Sequence, residues 1–276
     1  MPGRLASIRR ACYTCCIPPQ GATLFMLKST FIHVPGVGYV TERSIWENGA
    51  IDWQQYLERS DEINISAGKK ALIQPIVEES IQRLADGDHR WFAGALPAKE
   101  HWRALSEFGD AVGYLDIETS GCNSWDHITV IGLFDGYDIR QFICGRNMDE
   151  FPEAVSQCKM LVTFFGTGFD LPFIRRTFPN LTLDQLHIDL CHMFRRIGLT
   201  GGLKRIEHSL GISRCPEADG LDGLDAVRLW NAYRHGSEQA LDTLLVYNKE
   251  DVVNMKTLLE YGCKRLKSTL PDAIFR

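Results

Sequence analysis

Short apolar runs separated by turn residues fill much of the second half of the chain and predict β-strands there. Runs of this length, rich in β-branched and aromatic residues, are typical of buried strands. The predicted strands are Val112–Leu115, Ile128–Leu133, Ile139–Ile143, Leu161–Phe165 and a weaker one at His187–Leu190. The stretch FDGYD (134–138) has the composition of a hairpin turn, so the second and third strands should pair in antiparallel fashion.

Helical periodicity begins after the third strand and then alternates with the remaining strands. The predicted helices are Pro152–Cys158, Phe169–Phe178, Leu203–Leu210, Leu224–Tyr233 and a long one from about Glu238 to Tyr261. Three antiparallel strands followed by strands that alternate with helices predict an α/β fold. We therefore expect a mixed sheet of three antiparallel and two parallel strands, flanked by helices.

The chain divides into three segments by pattern. Residues 1–25 form a poorly patterned extension, residues 26–105 a mostly helical region, and residues 106–276 the α/β domain. In the middle segment, Ile73, Ile76, Val77, Ile81 and Leu84 follow helical spacing. Because well-patterned sequence starts directly after Met26, we hypothesise that translation starts there, which the intact mass of the native protein would decide.

Composition excludes several classes of protein. The 276 residues are 45% hydrophobic and 24% charged, as in ordinary soluble domains, and no apolar run reaches membrane-spanning length. An odd number of scattered cysteines, nine, indicates reduced thiols and a cytoplasmic location rather than a disulfide framework. Neither CYTCC (12–16) nor the group around His187 offers the four ligands of a structural zinc site.

Acidic residues of the first strand and of two predicted helices are candidates for a functional site. Asp116 and Glu118 are two apart, so their side chains point to the same side of a strand. Asp170 lies in the first turn of a predicted helix, directly after a glycine-containing loop. Tyr247 and Asp251 are four apart and share one face of the long C-terminal helix.

These acids indicate a divalent metal site. Neither Lys249 nor Lys256 lies on the helix face of Asp251, so we expect no organic cation to neutralise the group. Mg²⁺ and Mn²⁺ prefer carboxylate and water oxygens. Two such ions about 4 Å apart stabilise the attacking and leaving oxygens of a phosphoryl displacement. Tyr247 could orient the attacking water.

The order of these residues is also a family pattern. Asp116-x-Glu118, Asp170 and Tyr247-x-x-x-Asp251 resemble the DEDDy branch of the DnaQ-like 3′–5′ exonucleases, which have a ribonuclease H-like fold. Six stretches are similar to the YprB-type ribonuclease H-like proteins of bacteria: HVPGVG, HWRALSEFGDAVGYLDIET, LVTFFGTGFDLPFI, HIDL, TGGLK and YNKED. That similarity spans nearly everything after Met26.

The resemblance implies a two-metal exonuclease acting on single-stranded DNA or RNA. Asp116 would contact both ions, Glu118 and Asp251 the ion on the nucleophile side, and Asp170 the other ion. Tyr247 would position the attacking water. The sequence departs from the family at Phe165, where an asparagine is usual, so an amide that bonds substrate or a catalytic acid is lost.

Two further stretches are candidates for contact with nucleic acid. Gly36 and Gly38 in HVPGVG resemble half of a helix-hairpin-helix, whose free backbone N–H groups bind phosphate; an ordinary tight turn is an equal alternative. Lys204 and Arg205 follow two glycines at a helix start and could contact the phosphate backbone near the site, or form a solvated turn. The net charge of −5 argues against a protein that coats nucleic acid.

Two other functions remain open at this stage. Phe165 and the acidic charge balance favour a non-catalytic binding module that keeps the fold, although five catalytic-type residues oppose it. An apolar strand that ends in DIETSG also suggests a phosphatase with an aspartate nucleophile. That chemistry usually needs a second aspartate two residues on, where this chain has Glu118.

Overall fold

The computed structural model describes residues 26–123, 125–271 and 274. The predicted extension, with Cys12, Cys15 and Cys16, lies outside these residues. Among the described residues, no helix combines the length and the apolar character needed to cross a lipid bilayer.

The helical segment that precedes the sheet is built mostly from short helices. They are α1 (Tyr39–Glu47), α2 (Trp53–Arg59), α3 (Ala67–Ala85), α4 (His89–Ala95) and α5 (Leu105–Phe108), with a 3₁₀ helix at Ala98–Ala104. Side chains Asp52, Ser66 and Asp88 accept backbone N–H groups at the starts of α2, α3 and α4. Such caps favour short helices that lack much internal hydrogen bonding.

The sheet has the predicted mixed topology. Its strands are β1 (Val112–Thr119), β2 (Ile128–Phe134), β3 (Ile139–Ile143), β4 (Met160–Thr163) and β5 (Leu186–Asp189), in the spatial order β3-β2-β1-β4-β5. The pairs β1–β2 and β2–β3 are antiparallel, and the pairs β1–β4 and β4–β5 are parallel. The predicted fold class is therefore confirmed.

The remaining helices cover the sheet. They are α6 (Phe151–Ser156), α7 (Asp170–Thr177), α8 (Leu190–Arg196), α9 (Leu203–Ser209), α10 (Gly223–Arg234) and α11 (Glu238–Lys267). Helix α11 runs past the predicted end at Tyr261 because buried side chains continue along it through Cys263 and Leu266. Its apolar side chains share one core with those of the N-terminal helices, from Met26 and Phe31 onward.

Two boundaries differ from the prediction in ways that matter for the site. Strand β1 continues to Thr119, so Asp116 and Glu118 lie within the strand and not at its end. Strand β4 ends at Thr163, and Phe165 belongs to the following loop with a φ of 64°. A bulky residue in this left-handed region is strained, which sequence periodicity does not reveal.

A glycine allows α11 to approach the sheet closely beside Asp116. Gly132 on β2 is the direct pairing partner of Asp116 on β1. A Cβ atom at Gly132 would lie 2.4 Å from Oδ1 of Asn248 on α11, which is closer than atoms can approach. Any larger residue would therefore push α11 away from the strand that carries the acids.

Tryptophan side chains belong mainly to the core. Trp46, Trp53, Trp102 and Trp230 are all less than 5% exposed. The indole N–H groups of Trp46 and Trp53 donate to the backbone carbonyls of Ser29 and Thr30. They hold the start of the described chain and leave no ring face for a nucleobase.

Candidate metal centre

Three carboxylates from two elements converge at the centre of the sheet. Asp116 and Glu118 project from β1, and Asp251 projects from α11. Each offers one oxygen, and these oxygens lie within 4.8 Å of one another. The two-residue spacing on a strand and the packing of α11 on β1 produce this cluster.

Asn248, on the same helix as Asp251, holds Asp116 in place. Its Nδ2 donates to Oδ2 of Asp116 at 3.1 Å, and its Oδ1 accepts from Nε2 of Gln141 at 3.1 Å. Sequence reasoning did not assign Asn248 a role, but a signal exists. Asn248 lies on the row Leu244–Asn248–Val252, which is fully buried, and a buried amide requires hydrogen-bond partners.

Asp170 lies beside the triad and is tied to the strand. It begins α7, is 3% exposed, and its Oδ1 accepts the backbone N–H of Ile117 at 3.1 Å. The loop before it is held by Asp189, whose carboxylate accepts the N–H groups of Phe165 and Thr167. Asp170 therefore faces the site from the side of β1 opposite its pairing with β2.

Tyr247 and Lys204 form a second wall of the site. Nζ of Lys204 donates to Oη of Tyr247 at 2.8 Å and also to the carbonyl of Leu221. Both residues, together with Arg205, Asp116 and Asp251, line a cavity of about 260 Å³. Gly36 and Gly38 lie at the start of α1, where Gly38 is the N-cap residue, and neither lines this cavity.

The expectation that the acids have no organic cation is wrong for Asp251. Nη2 of Arg214 contacts Oδ1 of Asp251 at 2.5 Å. The same guanidinium forms a fork with Glu207, at 2.7 Å through Nε and 2.9 Å through Nη2. Arg214 could not be predicted as a site residue, because it lies in the irregular segment between α9 and α10. No helical or strand periodicity there indicates where its side chain points.

The site nevertheless carries excess negative charge. Five carboxylates (Asp116, Glu118, Asp170, Glu207 and Asp251) face three cations (Lys204, Arg205 and Arg214), so two negative charges remain when all are ionised. Burial, reinforced by the neighbouring carboxylates, raises the pKa values of Asp116 and Glu118 well above their ordinary range. Burial is also the main cause that raises the pKa of Asp170 to about 7 and that of Asp251 to about 6.

The residues present fit a divalent cation. Oε1 of Glu118 is buried and has no hydrogen-bond partner among the residues that the structure describes. An unpaired buried carboxylate oxygen beside two others is costly unless a cation contacts it. The donors are all hard oxygens, which suit Mg²⁺ or Mn²⁺ rather than zinc.

The raised pKa values predict how stability without metal depends on pH. The folded state keeps protons on Asp170 and Asp251 up to about pH 6–7, whereas the unfolded chain releases them near pH 4. The folded state thus binds more protons in this window, and the melting temperature in EDTA should fall as the pH rises from about 5 to 8. Excess Mn²⁺ should raise it, and most strongly near pH 8, because metal binding displaces protons.

Thermal unfolding followed by fluorescence measures both effects. Asp251→Asn should flatten the pH dependence in EDTA because it removes one of the titrating groups. The exchange of the exposed Asp110 for Asn, which carries no such contacts, should leave the dependence unchanged. A melting temperature in EDTA that increases over this pH range would contradict the expectation.

A family model and a solved structure are similar to this chain. A family model described as RNase H superfamily matches residues 113–262, which is more than half of the chain. The family B DNA polymerase from the hyperthermophilic archaeon Pyrobaculum calidifontis is similar in structure, with 16% identity and a TM-score of 0.46. That similarity covers 54% of this chain and 24% of the polymerase chain. No curated protein matches the sequence. The family match spans the whole sheet after Val112 and every carboxylate of the site, and the chain belongs to the RNase H superfamily.

Proposed function

We propose that this protein is a metal-dependent 3′–5′ exonuclease that hydrolyses the phosphodiester bonds of single-stranded DNA or RNA. The observation that carries the proposal is the convergence of Asp116, Glu118 and Asp251 beside a cavity that Lys204 and Tyr247 also line. Membership of the RNase H superfamily supports a nuclease. The order of the acids and the tyrosine, similar to the DEDDy exonucleases, supports the finer assignment, including the 3′–5′ direction.

Two Mg²⁺ or Mn²⁺ ions would be held by Asp116, Glu118, Asp170 and Asp251. When bound, such ions activate a water molecule and stabilise the charge on the attacking and leaving oxygens. Two hydrogen bonds support this role: Asn248 donates to Asp116, and Asp170 accepts the backbone N–H of Ile117, so both carboxylates are held without an ion. Ordered ligands reduce the free-energy cost of assembling the site.

Tyr247 orients the attacking water but does not remove its proton. Burial and the nearby Asp251 raise the pKa of the phenol far above its ordinary value, so the hydroxyl stays protonated. Because Nζ of Lys204 donates to Oη, the phenolic hydrogen is directed elsewhere and can be donated to a water or phosphate oxygen. Lys204 thereby fixes the direction in which Tyr247 donates.

Cations beside the acids would hold the substrate backbone. Lys204 and Arg205 line the cavity, and phosphate contacts of this kind do not depend on base sequence. The backbone N–H groups near Gly36 and Gly38 would contact the strand further from the scissile bond. A general exonuclease that removes nucleotides one at a time needs such sequence-independent contacts.

Digestion of end-labelled oligonucleotides tests the activity and its direction. We expect 5′-labelled single-stranded DNA or RNA to give a ladder of shortening products with Mg²⁺ or Mn²⁺ and none with EDTA. The same strands labelled at the 3′ end should release labelled mononucleotide from the start of the reaction. Internal fragments without a ladder would indicate an endonuclease, and binding of the strand without cleavage would indicate a non-catalytic module.

The same experiment shows whether the enzyme prefers DNA or RNA. Parallel time courses on DNA and RNA of identical sequence give the ratio of kcat/KM for the two substrates.

A trap for a covalent phosphoaspartate at Asp116 should remain negative. Trapping of such an intermediate would favour the phosphatase alternative.

A further inference from the structure

Arg214 is a cation that directly contacts one of the acids of the site. Its side chain is 5% exposed, and its Nη2 lies 2.5 Å from Oδ1 of Asp251. A buried arginine is rarely retained without a specific partner, because desolvation of the guanidinium is costly. The contact with Asp251 therefore requires an explanation beyond surface charge.

The guanidinium is clamped and cannot easily turn away. Glu207 on α9, whose side chain is 2% exposed, accepts both Nε and Nη2 of Arg214. Oε1 of Glu207 also accepts Nδ2 of Asn254 on α11 at 3.1 Å. A fork with two parallel hydrogen bonds fixes both the position and the plane of an arginine.

The same two helices are joined at two neighbouring points. Lys204 and Glu207 are three residues apart on α9 and share a face. Lys204 contacts Tyr247, and Glu207 contacts Asn254 and, through Arg214, Asp251. Helix α9 thus supports each polar side chain that α11 presents to the cavity.

We propose that Arg214 is a positioning residue that fixes the carboxylate of Asp251 for metal binding. This proposal rests on the proposed metal-dependent function. The guanidinium lies against Oδ1 as an ion pair, and this contact limits how the carboxylate can turn. Oδ1 is buried and has no aligned hydrogen-bond donor among the described residues, so it keeps the capacity to contact an ion. Because Glu207 neutralises Arg214, the pair adds no net charge and repels an incoming cation little.

Arg214 could instead occupy the place of a metal ion, and this role predicts the opposite change in metal affinity when Arg214 is removed. If Arg214 occupied the place of a metal ion, its removal would free Asp251 and strengthen metal binding. The clamp argues against this role, since a residue that yields to an ion must be able to move. One donor, Nη1, is buried without an acceptor among the described residues, a cost that sites of function often retain.

Direct titration of the full-length protein with Mn²⁺, followed by the electron paramagnetic resonance of the free ion, tests the proposal. We expect Arg214→Ala to weaken Mn²⁺ binding by about 10- to 100-fold, the range typical of residues that orient metal ligands. Arg214→Lys should recover part of this loss, because it keeps the charge but not the fork. Arg228→Ala, at an arginine whose side chain is 75% exposed and paired with Asp225, is the matched control and should bind as wild type does.

A second variant keeps the test valid if Arg214→Ala does not fold. Glu207→Gln preserves size and acts on Asp251 through the shared guanidinium of Arg214. It loosens the fork, so Mn²⁺ binding should weaken in the same direction by a smaller factor. Unchanged or tighter Mn²⁺ binding in a folded variant overturns the proposal, as does a wild-type protein that does not bind Mn²⁺. Wild type that binds Mn²⁺ but leaves nucleic acid intact refutes the exonuclease and not the role of Arg214.

Discussion

Asp116→Asn is expected to reduce nuclease activity by at least about 10³-fold, the largest loss that a single substitution in this protein should cause. Asp116 lies at the centre of the site, with Glu118 two residues along the strand and Asp251 facing it. Asparagine has nearly the same volume and can still accept the hydrogen bond from Asn248. The substitution therefore removes the charge and leaves the shape.

The same substitution should not destabilise the metal-free protein. Burial and the repulsion of Asp251, Glu118 and Asp170 already raise the pKa of Asp116, so its negative charge is unfavourable without a cation. Removing that charge relieves the repulsion, and we expect a melting temperature in EDTA equal to or a few degrees above that of wild type, about 2–4 °C for each kcal/mol. Residues that serve catalysis at a cost in stability are expected to behave in this way.

Initial rates on a labelled oligonucleotide with saturating Mn²⁺, together with melting curves in EDTA, measure both effects. Asp110→Asn serves as the control, since Asp110 is an exposed acid just before β1. It should change neither quantity. Loss of activity together with a clearly lower melting temperature would mean that the substitution acts through misfolding instead.

The fold could be predicted well because its elements have strong local signals. Strand β3 was predicted with the bounds that the structure shows, and β2 differs by one residue. Strand β1 was placed too short because Asp116 interrupts the apolar run, and apolar periodicity cannot tell an acid within a strand from one at its end. Asp116 can lie within the strand because its carboxylate faces the other groups of the site, such as Asn248, and not bulk water.

The acidic residues of the site could be predicted from the sequence, but the contacts of its cations could not. Fixed spacing within one strand or one helix places Asp116 with Glu118 and Tyr247 with Asp251. Arg214 lies in a segment without regular structure, so its contact with Asp251 depends on the path of the chain between two helices. Lys204 was expected to contact phosphate, and its hydrogen bond to Tyr247 arises only from the way α9 packs against α11.

A second buried group of charges joins the N-terminal helices to the sheet domain. Arg103 is 2% exposed and contacts two carboxylates, Glu42 at 2.9 Å and Glu100 at 2.7 Å. Glu42 also accepts the backbone N–H groups of Phe31 and Ile32, and Glu100 accepts a hydrogen bond from Arg196 on α8. Arg103 is therefore the shared counter-charge of two fully buried acids.

Arg103→Ala should lower the free energy of unfolding by about 3–5 kcal/mol, the largest loss of stability expected from one substitution here. It leaves Glu42 and Glu100 buried without their common cation, and burial already raises the pKa of Glu42 even with Arg103 present. Without Arg103 that pKa rises further, so the folded state holds a proton that the unfolded chain releases. The loss should consequently be greater near pH 8 than near pH 5.

Equilibrium unfolding in urea at both pH values measures the effect, and two variants make the outcome specific. Adding Glu42→Gln to Arg103→Ala should recover part of the stability, because it removes the charge that loses its cation, whereas Glu100 keeps Arg196. Arg83→Ala removes ion pairs with Glu79 and Asp88 in which the arginine side chain is 42% exposed, and it should cost little stability. If Arg103→Ala cost no more than Arg83→Ala, water would have to reach the two glutamates, and the N-terminal helices would not be locked to the sheet domain through this group of charges.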